Sequence, residues 1–200
     1  MTAKIKLNAA SGGGSFSLQA PSSSSNDRVM TLPDTADGTI LTTTNPRTGN
    51  IIQVVQATSD TKTSTTSTSY VDTPLSASIT PSATSSKILI RYNITVAMGS
   101  NSNIAFFQIL RGSTVIGNGN QGSSRTKCHS ALRGQHSDAN PHGVTSGEFL
   151  DTPSTTSATT YKIQYSVDGN TCYINRASGD SDGNFHPSPL AEIILMEVAA

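Results

Sequence analysis

The chain has 200 residues, 34 % of them hydrophobic and only 13 % charged, against a usual charged share of about 25 %. Serine and threonine fill more than a quarter of it. Equal numbers of acidic and basic residues cancel to zero net charge, which leaves no evident basic face for nucleic acid, and no apolar run approaches the roughly 18 residues of a membrane span.

The first residues, Met1 to Leu7, are followed by polar ones and lack the apolar stretch of a secretory signal. Synthesis in the cytoplasm is therefore expected, with Cys128 and Cys172 as free thiols. Residues 1–50 form a distinct segment, broken by Gly12-Gly13-Gly14 and Ser22-Ser23-Ser24-Ser25. Phe16 and Leu18 alternate with polar neighbours and predict a short strand. Val29 to Leu32 ends at Pro33, and Thr39 to Leu41 follows the turn Asp37-Gly38, so two more short strands are expected. Such a segment cannot close a core alone, and composition fits a disordered arm equally well.

From Ile51 the pattern strengthens. Ile51, Ile52, Val54 and Val55 predict the first strong strand. Asp60 to Ser69 is a Ser/Thr-rich loop or edge, and Pro74 is expected to split the strands on either side of it. Lys87 to Met98 is the clearest strand. Ile88, Ile90, Tyr92, Ile94, Val96 and Met98 share one parity, which predicts one buried face and one wetter face. Ile104 to Leu110 is a second apolar strand, and Thr114 to Gly117 a short one. Residues 117–143 read as one long polar stretch, followed by modest strand character over Val144 to Leu150. Tyr161, Ile163, Tyr165 and Val167 alternate. Asp168-Gly169-Asn170 then reads as a hairpin turn to a partner strand over Thr171 to Asn175. The last strand is Ala191 to Val198. No segment carries a helical period. About eight to ten strands with regular turn signals predict an all-β fold, a jelly-roll-like β-sandwich head over 51–200 behind a short β-rich segment over 1–50.

No catalytic motif assembles. There is no G-x-S-x-G elbow and no phosphate-binding loop, so no enzyme activity and no cofactor are expected. Cys128, His129, His136 and His142 lack the paired spacing of a zinc site. Asp180, Asp182 and Asn184 resemble the start of a calcium loop, but Phe185 and Ala191 stand where Gly and Glu are required. No metal site is expected. Loops on a rigid scaffold commonly carry binding, so Arg125, His129, Arg133, His136 and His142 are the candidate contacts for a polar ligand such as a glycan. A solvated connection or a subunit contact explains the same stretch.

Gly14-Ser15-Phe16-Ser17-Leu18-Gln19-Ala20-Pro21, then Asn26 to Asp34 and Asp37-Gly38-Thr39-Ile40-Leu41, resembles a module of tail-fibre-like proteins from marine bacteriophages, including cyanophages. Ser85 to Ile90, Leu110 to Gly117, Asp151 to Lys162 and Met196 to Ala200 are similar to the C-terminal domain of the same proteins. The resemblance implies a virion structural protein. It further implies a homotrimer with a jelly-roll head related in shape to tumour-necrosis-factor and complement-type domains. Three intertwined copies would bury Phe16, Leu18, Val29, Leu32 and Ile40. The segment would dock on other virion proteins, and the head would display loops to a glycan or protein of the host surface. The chain departs from long fibres in having no heptad shaft and no collagen repeat. A capsid decoration protein and a non-viral glycan-binding module are the alternatives.

Overall fold

A computed structural model describes residues 4–19, 22–23, 25, 46–100, 102–120, 122–134 and 142–200. The chain divides into two compact units, residues 1–40 and 41–200. In the first, β1 (Lys4–Asn8) pairs antiparallel with β2 (Ser15–Gln19), setting Ile5 opposite Leu18 and Leu7 opposite Phe16. The turn between them uses Gly12 and Gly13 at φ values of 85° and 71°, a conformation that glycine adopts without steric cost. Ile5, Leu7 and Leu18 stay exposed. A lone two-stranded ribbon is marginal in water. Of the proposed intertwining residues, Leu18 and the backbone of Phe16 are described; the Phe16 side chain, Val29, Leu32 and Ile40 lie outside the described residues.

The second unit is built from β3 (Ile51–Ser59), β4 (Thr63–Thr65), β5 (Val71–Ile79), β6 (Lys87–Met98), β7 (Ile104–Arg111), β8 (Thr114–Ile116), β9 (Ser130–Arg133), β10 (Gly143–Asp151), β11 (Thr159–Val167), β12 (Cys172–Ile174) and β13 (Ala191–Val198). They form two packed antiparallel sheets, and the described residues contain no helix. One sheet runs β3-β13-β6-β12-β4, with β10 on the other side of β6. The second runs β5-β11-β7-β8, with β9 also on β7. The inward parity of β6 fills the space between them as expected: Ile88, Ile90, Tyr92, Ile94, Val96 and Met98 are all at most 2 % exposed. Tyr161, Ile163, Tyr165 and Val167 of β11 meet them from the facing sheet. Phe107 stacks on Tyr165 with ring centroids 6.3 Å apart.

Several sequence expectations change. Pro74 does not split its strand. β5 is the edge of its sheet, where a missing N–H is tolerated. The register runs from Ser76 opposite Lys162 to Asp72 opposite Gln164, so residues 73–75 bulge past Ile163. The hydroxyl of Thr73 donates to the Ile163 carbonyl at 2.8 Å, replacing the bond that Pro74 cannot make. Asp168-Gly169-Asn170 is not a hairpin turn either. β11 pairs with β5 and β7, whereas β12 pairs with β4 and β6, so the turn carries the chain from one sheet to the other. Asp168 Oδ1 fixes that crossing by accepting from the Ile104 amide at 2.7 Å and from Asn103 at 3.0 Å. Within the Ser/Thr-rich stretch, Thr63–Thr65 pairs with β12 as a short edge strand.

The sandwich has two unlike ends. At one, the chain enters beside its C-terminus: the Gly49 amide donates to Ala199 O at 2.8 Å, and the Ala199 amide to Asn50 O at 2.9 Å. Register places Glu197 and Asp151 on either side of Ile88 at this end, with exposures of 0 % and 5 %. Arg111 and the Tyr161 hydroxyl bind Asp151 at 2.9 and 2.7 Å. Gln53 and Ser82 bind Glu197 at 2.6–2.7 Å. At the opposite end lie the connections 60–70 and 168–190, together with residues 99–100, 102–103, 134 and 142.

Candidate functional site

The stretch 117–143 is not one loop. Residues 117–129 leave β8 and extend over the outer face of the five-stranded sheet, where Asn118 donates to Gln108 at 3.3 Å. The excursion reaches the far edge, where the Tyr70 hydroxyl donates to Lys127 O at 2.7 Å. Burial, and then Cys128 beside it, push the Tyr70 phenol up to about 12 against a hydrogen bond from Ser166. Beneath the excursion, a directed chain of donors runs along the sheet. Gln108 donates to Gln164 at 2.8 Å, and Gln164 donates to Asp72 at 2.6 Å. Lys162 pairs with Asp72 at 2.8 Å. Hydrogen bonds from Lys162 and Gln164 hold the Asp72 carboxyl below its usual range. This face carries a polar network and is partly covered, and under the cover Asn118 Oδ1 is buried without a partner. The chain then returns to the sheet edge as β9, so a strand interrupts the expected loop.

The five candidate residues therefore do not converge. Arg125 is exposed on the excursion. His129 turns inward. Its Nδ1 lies 2.8 Å from Gly117 O, and its ring packs edge-on against Phe149 with centroids 6.4 Å apart. Tyr92 flanks it with centroids 6.0 Å apart. A Cβ on Gly147 would sit 2.5 Å from His129 Cδ2, so only glycine admits this ring. His129 plugs the edge of the sandwich and is not displayed. Above it, Tyr92 Oη, Ser130 Oγ and Thr145 Oγ1 form a hydroxyl chain at 2.7 and 2.9 Å. Arg133 and His142 come together, with Leu132 and Met98, around a cavity of about 10 Å³, room for one water at most. His136 lies outside the described residues.

Asp180 is committed to ion pairs, with Lys62 at 2.8 Å and Arg176 at 3.6 Å. The Arg176 guanidinium also stacks on Tyr173, 4.6 Å from its centroid. The calcium-like spacing thus serves a brace across loops. Among the described residues no group of three or more His, Cys, Asp or Glu gathers to hold a metal.

The feature missed in the sequence lies on the outer face of the six-stranded sheet. Register aligns Val54, Met196, Leu89 and Leu150 in one row across β3, β13, β6 and β10. Val54 and Leu150 are 57 % and 47 % exposed. Ile51 and Val198 extend the apolar surface toward the chain-entry end. On its other side the next row is Gln56, Ile194, Arg91 and Glu148, with an Arg91–Glu148 ion pair at 3.1 Å. Glu192, Asn93 and Ser146 border a polar hollow of about 220 Å³ beyond it. A signal was available. The run Ile193-Ile194-Leu195-Met196 is apolar on both parities, which is the mark of a strand covered on both faces.

No protein-family model matches the chain, and no curated protein matches it.

Proposed function

We propose that the chain is a bacteriophage virion structural protein, the subunit of a homotrimeric fibre or appendage whose jelly-roll head displays loops for attachment to the host surface. The observation that carries the assembly is the apolar row. Contiguous apolar surface marks a contact, and Val54, Met196, Leu89 and Leu150 form it on a sheet face where Val54 and Leu150 stay exposed among the described residues. The opposite face carries the Gln108–Gln164–Asp72 network, with Asn118 and Lys127 held over it. The ribbon residues Ile5, Leu7 and Leu18 add a second apolar surface in need of cover.

Strand order supports the jelly-roll reading. Taken in sequence, the eight main strands are β3, β5, β6, β7, β9, β10, β11 and β13. In those terms one sheet runs 1-8-3-6 and the other 2-7-4-5, the order of two nested Greek keys. The virion context comes from the likeness of residues 14–41 to tail-fibre modules.

Native mass by light scattering after size exclusion tests the assembly. Three times 20.8 kDa is expected for the full chain, with Leu150→Lys shifting it toward the monomer while the β-sheet circular dichroism persists. A wild-type monomer overturns the fibre reading and favours a decoration protein that seats the same row on a capsid. Labelled antibody against the head, imaged on virions, then separates tail from capsid positions.

A further inference from the structure

The end of the sandwich remote from chain entry carries the exposed phenyl ring of Phe185. The His186 amide donates to Gly183 O at 3.0 Å, closing a tight turn with Asn184 and Phe185 at its corners. Ser181 Oγ bonds His186 Nδ1 at 3.1 Å across the base. Pro187 and Pro189 stiffen the exit. The Lys62–Asp180–Arg176 cluster braces the loop against the neighbouring connection. Asn175, at φ 58°, ties the start of the loop to Ser59 O at 2.9 Å and Thr61 O at 3.2 Å. On this braced turn Phe185 is 82 % exposed, the largest exposure of any bulky apolar side chain described. Asp182 and Asn184 are exposed beside it and take no part in the bracing bonds.

From this geometry we infer that the 181–186 turn is a carbohydrate contact, with Phe185 stacking on the apolar face of a pyranose ring and Asp182 and Asn184 bonding its hydroxyls. The inference rests on the host-attachment reading and names its ligand class. A single ring offers too little area for a protein partner, which needs on the order of 800 Å² per side, but it matches one sugar ring. The cationic neighbours Lys62 and Arg176 are both engaged by Asp180, and Arg176 also lies on the Tyr173 ring, so the groups the turn itself presents beside Phe185 are a carboxylate and an amide. A pre-formed turn loses little conformational freedom on binding. The position is apt too. Residues 49 and 199 meet at the other end of the sandwich, so within the second unit this turn lies remote from the point where the chain enters.

The chain has no tryptophan, so Phe185→Trp places the only indole in the contact. The variant is titrated with glucose-, galactose- and N-acetylglucosamine-based oligosaccharides while its emission is followed. A saturable shift with at least one of them is expected. Saturation-transfer NMR on the otherwise unchanged chain should then show at least tenfold weaker binding of that sugar in Phe185→Ala and Asp182→Ala. No shift with any of the panel overturns the inference, as does sugar binding that Phe185→Ala leaves intact. Native mass is recorded on every variant. A trimer that binds no sugar removes this inference alone, and a monomer removes the fibre reading.

Discussion

Glu197 is fully buried, and its partners among the described residues are the neutral donors of Gln53, Ser82 and Ser86. Burial pushes its carboxyl up, but hydrogen bonds from Ser82, Ser86 and Gln53 outweigh that and hold it below the ordinary value of 4.5. A carboxyl depressed by folding stabilises the folded state above its unfolded value, and this stabilisation is lost as pH falls through the folded one. The protein should therefore lose thermal stability below about pH 4.5 from this site. Glu197→Gln should flatten that acid limb and cost about 1–3 kcal/mol at neutral pH, because its amide faces the donor groups of Gln53 or Ser82. Melting temperatures of both proteins between pH 3 and pH 7 check this; parallel curves would exclude it. Gly147 makes a separate case. Gly147→Ala should cost about 1–3 kcal/mol by overpacking against His129 and Tyr92. Part of that loss should vanish when it is measured in a His129→Ala background, the rest staying with Tyr92, a coupling that denaturant titrations of the four proteins resolve.

At the scale of single elements, the bulge in β5 shows why a proline sits inside a continuous strand. Thr73→Val keeps the shape and leaves the buried Ile163 carbonyl without its donor, so a loss of about 1–3 kcal/mol in urea unfolding is expected. Thr73→Ser should retain most of the stability. The same element marks where sequence reading stops. Period-two alternation in β6 and β11 revealed which faces are buried, because each strand has one dry side. Alternation says nothing of which strand lies beside which, so Asp168-Gly169-Asn170 looked like a hairpin although it crosses between sheets. The candidate site was less legible still. Polar loop letters at Arg125, His129 and Arg133 carry no direction, and two facing glycines, Gly117 and Gly147, turned His129 inward. The apolar row was readable only as a surplus of Ile and Met on the wet parity of β13, since its four members come from four distant strands.

For the molecule as a whole, the contrast between its two sheet faces is the organising fact. One is a closed chain of amides and a carboxylate under an overlying segment, and the other is an open apolar row. The pairing of residues 49 and 199 has a mechanical consequence when the sandwich is pulled. Tension between residue 50 and the 181–186 turn runs along the axes of β3 and its antiparallel partner β13, so the ladder from Val198 to Ala191 is loaded in shear with its bonds strained together. Tension between residue 50 and residue 200 instead peels β3 from β13 one bond at a time. Single-molecule pulling through handles at residues 50 and 184 should thus need a several-fold larger rupture force than pulling through residues 50 and 200. A sandwich built this way resists tension applied across its two unlike ends, while residues 50 and 200, side by side at one end, can be drawn apart with little force.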